Sequence, residues 1–165
     1  MAFCVLCATA VSANAGPRVL DFPGAVLGDI DEDRRLPERS GAVYHTVRGT
    51  LFVVGDEGDI GELSVDGELL NHRKLEMEYP ADFEGVTWAA PTGMLYVIVE
   101  MADRILEVDP EDLTVEREFI VERTVGDETV IAEGGQGLEG ITFVADTADP
   151  DGGTFYVVNQ GDRKS

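Results

Sequence analysis

Three glycines, each followed by an apolar residue and then by an aromatic one three positions on, divide this chain of 165 residues into units of one kind. Laying Gly41 on Gly85 aligns SGAVYHTVRGTLFVVGDEGDIGELSVDG with FEGVTWAAPTGMLYVIVEMADRILEVDP, and Gly140 takes the same place in LEGITFVADTADPDGGTFYVVNQGDR. The intervals are 44 and 55 residues. A polar insertion around Glu122 to Gly135 and a longer turn at Thr147 to Gly152 absorb the difference, as loops between strands do. The aromatic positions are Tyr44, Trp88 and Phe143, expected to pack between units. Internal repetition on this scale marks solenoids and propellers.

Each unit has the grammar of an antiparallel sheet. Leu51-Phe52-Val53-Val54, Leu95-Tyr96-Val97-Ile98 and Phe155-Tyr156-Val157-Val158 are dense apolar runs bounded by Gly, Pro and Asp, which indicates strands buried on both faces. Ile60 to Val65 and Ile105 to Val108 supply a third strand, closed by Asp66-Gly67 or Asp109-Pro110. Glu68 to Glu78 and Leu113 to Val121 alternate apolar and polar residues, as an outer strand with one wet face does. The fold class is therefore all-β: a β-propeller with about three four-stranded blades, at approximately 40–80, 83–121 and 138–165, and no helix. A β-sandwich would not explain matched residues recurring in register. Propellers close with at least four blades, and the third copy stops at Asp162-Arg163, the positions matching Asp103-Arg104. We expect an incomplete ring, a truncated piece of a larger propeller spanning 16–165; the competing arrangement closes the ring through another subunit.

The amino terminus differs from the rest. An apolar run from Ala2 to Val11 is followed by Ala13-Asn14-Ala15, an A-x-A cleavage pattern, so residues 1–15 are expected to be a signal peptide. The basic region that normally opens such a segment is missing, and a buried core strand is the alternative. Cys4 and Cys7 both fall within it, so the processed chain would hold no cysteine, hence no disulfide and no thiolate metal site. These readings place the protein in the periplasm or outside the cell. No later stretch is long and apolar enough to span a bilayer. The net charge of −21 argues against nucleic acid as a partner, because phosphates are repelled, and favours divalent cations.

The repeated E-G-(V/I)-T-aromatic start, followed by a short turn and an LYV-type strand, resembles the SdiA-regulated and phytase-like (esterase-like) propellers, distant relatives of the gluconolactonase and NHL-repeat group. The similarity runs from about Asp21 to the end. In such propellers the residue before the leading glycine opens the innermost strand and points into the central channel, where calcium is often held. The resemblance therefore nominates Glu84 and Glu139 as metal ligands, while Ser40 at the matching position offers only a neutral oxygen. Calcium takes six to eight oxygen ligands, and carboxylates from neighbouring blades would converge on the axis. Asp82, Asp56, Glu57, Glu100 and Asn159 are further contributors, the last four at the ends of the strong strands. The competing reading is a set of ordinary turn carboxylates on a very acidic surface.

Other motifs fail on context. Gly135-Gln136-Gly137-Leu138-Glu139-Gly140 satisfies G-x-G-x-x-G but precedes a strand with no helix after it, so it is no dinucleotide fingerprint. Asp29, Asp31 and Asp33 imitate an EF-hand, yet the sixth and twelfth positions are Arg34 and Ser40. His45 and His72 have no metal spacing, and His45 is expected to be a packed strand histidine more than a general base. Two functions follow. One is a calcium-assisted hydrolase of phosphate or carboxylic esters; the other is a non-catalytic propeller with structural calcium that binds a protein, an envelope component or a glycan.

Overall fold

The computed structural model describes residues 35–131 and 137–160. The signal segment expected at 1–15, the EF-hand imitation up to Arg34 and the third strand expected near Asp162-Arg163 lie outside these residues. Among the described residues there is no helix.

The first blade is a four-stranded antiparallel meander of β1 (Arg39–His45), β2 (Thr50–Gly55), β3 (Asp59–Leu63) and β4 (Leu69–Lys74). The second repeats it with β5 (Phe83–Ala89), β6 (Met94–Val99), β7 (Arg104–Val108) and β8 (Val115–Ile120). The insertion expected to be a plain loop carries a small hairpin, β9 (Thr124–Val125) with β10 (Glu128–Thr129). Among the described residues the third blade comprises β11 (Leu138–Ala145) paired with β12 (Gly153–Asn159). The outer strands are shorter than the sequence alternation suggested, because Glu76 to Tyr79 leaves the sheet to begin the link to the second blade.

Tight turns join the two inner strands. Gly49 and Gly93 hold equivalent places with φ of 71° and 73°, a left-handed conformation that glycine adopts without a Cβ penalty. Their amides donate to the His45 and Ala89 carbonyls, both at 2.9 Å.

Strand β6 explains why the apolar runs carry no polar alternation. Leu95, Val97 and Val99 turn to the first blade and join Phe52, Val54 and Val86 in the main core. Ile98 turns the other way to meet Leu138 and Ile141 of the third blade, and the Tyr96 ring meets that of Phe155 at a tilt of 59° with centroids 4.6 Å apart. A strand sandwiched between two sheets has no face left for water. The innermost strands lie side by side, and at their start the three leading glycines face each other. A Cβ on Gly41 would stand 2.9 Å from the Gly85 Cα, and one on Gly85 would stand 3.1 Å from the Gly140 Cα. The repeated glycine is the residue that lets three backbones converge.

Candidate metal centre

Each innermost strand begins with the same irregularity. Pairing slips between Arg39 and Gly41, between Phe83 and Gly85, and between Leu138 and Gly140, so Ser40, Glu84 and Glu139 are the bulged residues of their blades. A bulge leaves one residue out of the ladder and redirects its side chain. Three positions before the glycine, Glu38 and Asp82 sit in the left-handed region with φ of 45° and 37°. Their carbonyls accept the amides of Asp56 and Glu100, at 3.1 and 3.0 Å, and the Gly137 carbonyl accepts that of Gln160 at 3.1 Å. The repeat thus ties the start of each inner strand to the residue just after the next one. The result is a recurring corner at which acidic side chains of two neighbouring blades collect.

The corner gathers Asp56 of the first blade with Asp82 and Glu84 of the second: one carboxylate oxygen from each lies within 4.8 Å of the other two. All three are half-buried. Two unit charges at such a separation repel by roughly 3–4 kcal/mol at an effective dielectric of 20. Burial first, and then the charges of Asp56, Glu139, Asp82 and Glu100, push the Glu84 carboxyl up to about 7. Every one of those influences acts in the same direction. Asp82 is raised by burial, by the charge and hydrogen bond of Glu100, and by Asp56. Glu139 is raised by burial and by Glu100 and Asp82.

The residues nominated from sequence separate into two groups. Glu84 is in the three-carboxylate cluster, and Glu139 is coupled to it through charge from the third blade. Asp56 and Asp82, named only as further contributors, complete the cluster. Glu100 is buried, and its Oε1 accepts the Gly137 amide at 2.9 Å, which clamps the second blade to the third beside the site. Glu57 turns away to pair with Lys74 at 3.2 Å. The Asn159 amide donates to the Val130 carbonyl at 2.6 Å. Ser40 uses its hydroxyl to donate to the Phe83 carbonyl of the second blade. The geometric signal that favours Asp56 over Glu57 is the hydrogen bond from its own amide to Glu38, which is invisible in composition.

An oxygen-only set of carboxylates fits calcium or another hard divalent ion and not a soft metal. Three carboxylates supply up to about six oxygens when bidentate, within the coordination range of calcium.

His45, at the far end of β1, is remote in kind from this site. It is buried, with its ring centroid 4.3 Å from that of Trp88, and its Nδ1 accepts the Arg48 amide at 3.2 Å. Burial, and then the neighbouring Arg48, hold its pKa below the ordinary histidine range. Trp88 packs between blades, as its place in the repeat suggests.

Among solved structures the chain is similar to hydrazine synthase of Kuenenia stuttgartiensis, with a TM-score of 0.51 and 20% identity over 74% of this chain and 29% of that one. It also matches virginiamycin B lyase from Staphylococcus aureus, with a TM-score of 0.49 and 14% identity over 74% of this chain and 42% of that one. A third match is Sqt1 of Saccharomyces cerevisiae, with a TM-score of 0.49 and 13% identity over 64% of this chain and 28% of that one. These are β-propeller proteins, of which the chain spans well under half the length, and the likeness to the first shows the fold alone. A search of curated proteins finds no match. The family model described as SdiA-regulated matches residues 31–160, and by that match the chain belongs to the SdiA-regulated family of β-propellers.

Proposed function

We propose that this chain is part of an exported, calcium-binding propeller in which Asp56, Asp82 and Glu84 hold the ion and Glu139 adds a further oxygen from the third blade. The observation that carries this reading is the approach of three half-buried carboxylates to within 4.8 Å, a convergence that is costly unless a cation or protons neutralise it. A bound calcium would polarise a phosphoryl or carboxyl oxygen of an ester and orient water for attack. The chain's own carboxylates act as ligands in this scheme and not as nucleophiles. Glu100 fixes the adjoining blade through the Gly137 amide and so keeps Glu139 in range. Export, expected from the Ala13-Asn14-Ala15 pattern, would place the site where calcium is plentiful.

The buried histidine favours a second reading, in which the ion is structural and the propeller binds a protein, an envelope component or a glycan. His45 spends one nitrogen on the Arg48 amide and its ring face on Trp88. Thermal melts in calcium and in chelator test the ion: a site saturated a hundredfold above its Kd adds about 2.7 kcal/mol. No shift, or an equal shift in Glu84→Gln, counts against it. Phosphomonoesters, phosphodiesters and lactones assayed with calcium and with chelator then separate the two functions. Calcium-dependent turnover supports the hydrolase, and binding without turnover supports the structural role.

A further inference from the structure

One turn of the repeat is closed by a titratable group. In the second blade the Ala89 carbonyl accepts the Gly93 amide at 2.9 Å and the Thr92 hydroxyl at 3.2 Å, so that turn holds itself without any ionisable side chain. The first blade keeps the backbone bond, from Gly49 to His45, but sets His45 where the other blades have Ala89 and Val144, and Arg48 where the second has Thr92. Its extra bond runs the other way: the Arg48 amide donates to His45 Nδ1 at 3.2 Å. A backbone N–H can only donate, so that nitrogen carries no proton and the ring is neutral. A proton arriving at Nδ1 ends the bond.

The surroundings resist that proton. His45 is 5% exposed, with the Phe52 ring of β2 at 5.7 Å and the Trp88 ring of β5 at 4.3 Å between centroids. The charged groups that act on it are Arg48 of its own turn and Glu62 of β3. Burial and then Arg48 oppose protonation, its own backbone hydrogen bond and Glu62 favour it, and the first two prevail. Arg48 in turn connects this turn to the second blade. Its guanidinium donates to both oxygens of Glu62, at 2.8 and 3.0 Å, and to Glu111 in the turn between β7 and β8, at 3.0 Å. The residue whose amide rests on the imidazole thus carries an ion pair that spans the rim of two blades.

We propose that His45 is a pH-operated latch: neutral, it holds the turn at 46–48 and the Arg48 bridge between the first and second blades; protonated, it releases both. Protonation removes the acceptor and sets an imidazolium beside the guanidinium, with Glu62 left to serve two cations. Because the turn closes only on the neutral ring, its opening constant rises by up to about tenfold for each pH unit between the ordinary histidine value of 6.5 and the folded midpoint below it, then levels off. His45 ends β1, whereas the acidic corner lies at the start of that strand, so the inference stands apart from the metal reading.

Hydrogen exchange of the full chain in chelator, followed by NMR from about pH 7.5 to about pH 5, reads the latch at the Arg48 amide. The expected result is a protection factor that falls by up to about tenfold per pH unit below 6.5, in step with the titration of the His45 ring, while the core amides of β6 keep theirs. The Glu84 corner cannot imitate this, because in metal-free protein it makes the whole fold more stable in acid. His45→Asn offers a side-chain oxygen as acceptor and does not titrate, so its Arg48 protection should stay level. An equal fall in that variant, constant protection while His45 titrates, or no titration of His45 before the whole chain unfolds would each overturn the proposal. If His45→Asn fails to fold, the parent decides: one midpoint shared by the His45 ring and the Arg48 amide shifts supports the latch, and two separate midpoints overturn it.

Discussion

Gly41 and Gly85 meet across the first two blades so closely that a Cβ on Gly41 would stand 2.9 Å from the Gly85 Cα. The neighbouring group is backbone, so it has no flexible end to yield. We expect Gly41→Ala and Gly85→Ala each to lower stability by about 1–3 kcal/mol, as overpacking does. At Gly61 the nearest atoms are the side-chain ends of Leu36, so Gly61→Ala should cost less. Urea unfolding of the three variants reads the order directly, and equal losses at all three would remove the convergence argument.

The Glu84 carboxyl gives the metal-free protein a defined pH dependence. Its ordinary value of 4.5 rises to about 7 in the fold, so the folded chain holds that proton more tightly than the unfolded one. The stabilisation is fully present below about pH 4.5 and is lost as pH rises through about 7. Asp82 and Glu139 are raised in the same sense and deepen the loss. Melting temperature measured in chelator should therefore fall across that window, and saturating calcium should flatten the fall. A metal-free stability that rises from pH 5 to 7 would contradict the assignment.

Glu84→Gln removes one of the mutually repelling charges while keeping the shape of the side chain. Above pH 7 in chelator the variant should melt higher than the parent. In calcium the order should reverse, because a ligand has gone. A crossing of the two melting curves with calcium concentration is the expected signature, and parallel curves would show that the ion does not sit at Glu84.

Glu62 illustrates a different use of a buried carboxylate. Its Oε1 accepts from Arg48 Nε at 2.8 Å and from Thr50 Oγ1 at 2.7 Å, while Arg48 also reaches Glu111 of the second blade at 3.0 Å. Burial opposes ionisation, but the hydrogen bonds from Arg48 and Thr50 outweigh it and hold Glu62 below the ordinary glutamate range. Arg48→Met should cost about 1–3 kcal/mol, the penalty of stranding a buried acceptor. In a double-mutant cycle with Glu62→Gln the combined loss should be smaller than the sum. Additive losses would mean that the pair is not coupled.

The repeat made the architecture legible because the glycine, the aromatic and the apolar run each answer to one geometric need, and those needs recur with every blade. Tyr44, Trp88 and Phe143 could be aligned before any sheet was known, and β1, β5 and β11 carry them as expected. The three-carboxylate corner was only half legible. Glu84 and Glu139 stand out through their place beside the glycine, but the choice of Asp56 over Glu57 depends on which of two adjacent residues ties its amide to the Glu38 carbonyl at the start of the inner strand. Adjacent acids look alike in sequence. The hairpin of β9 and β10 was hidden for a related reason: its strands are two residues each, too short for any periodicity to declare them.

Calcium titrated calorimetrically into the chelator-stripped chain near neutral pH probes the three-carboxylate corner without any assumption about substrate. Saturable binding by the parent, absent from Asp56→Asn with Glu84→Gln and retained by Glu57→Gln, is the predicted result. Binding heat unchanged in that double variant, or none in the folded parent, would contradict it.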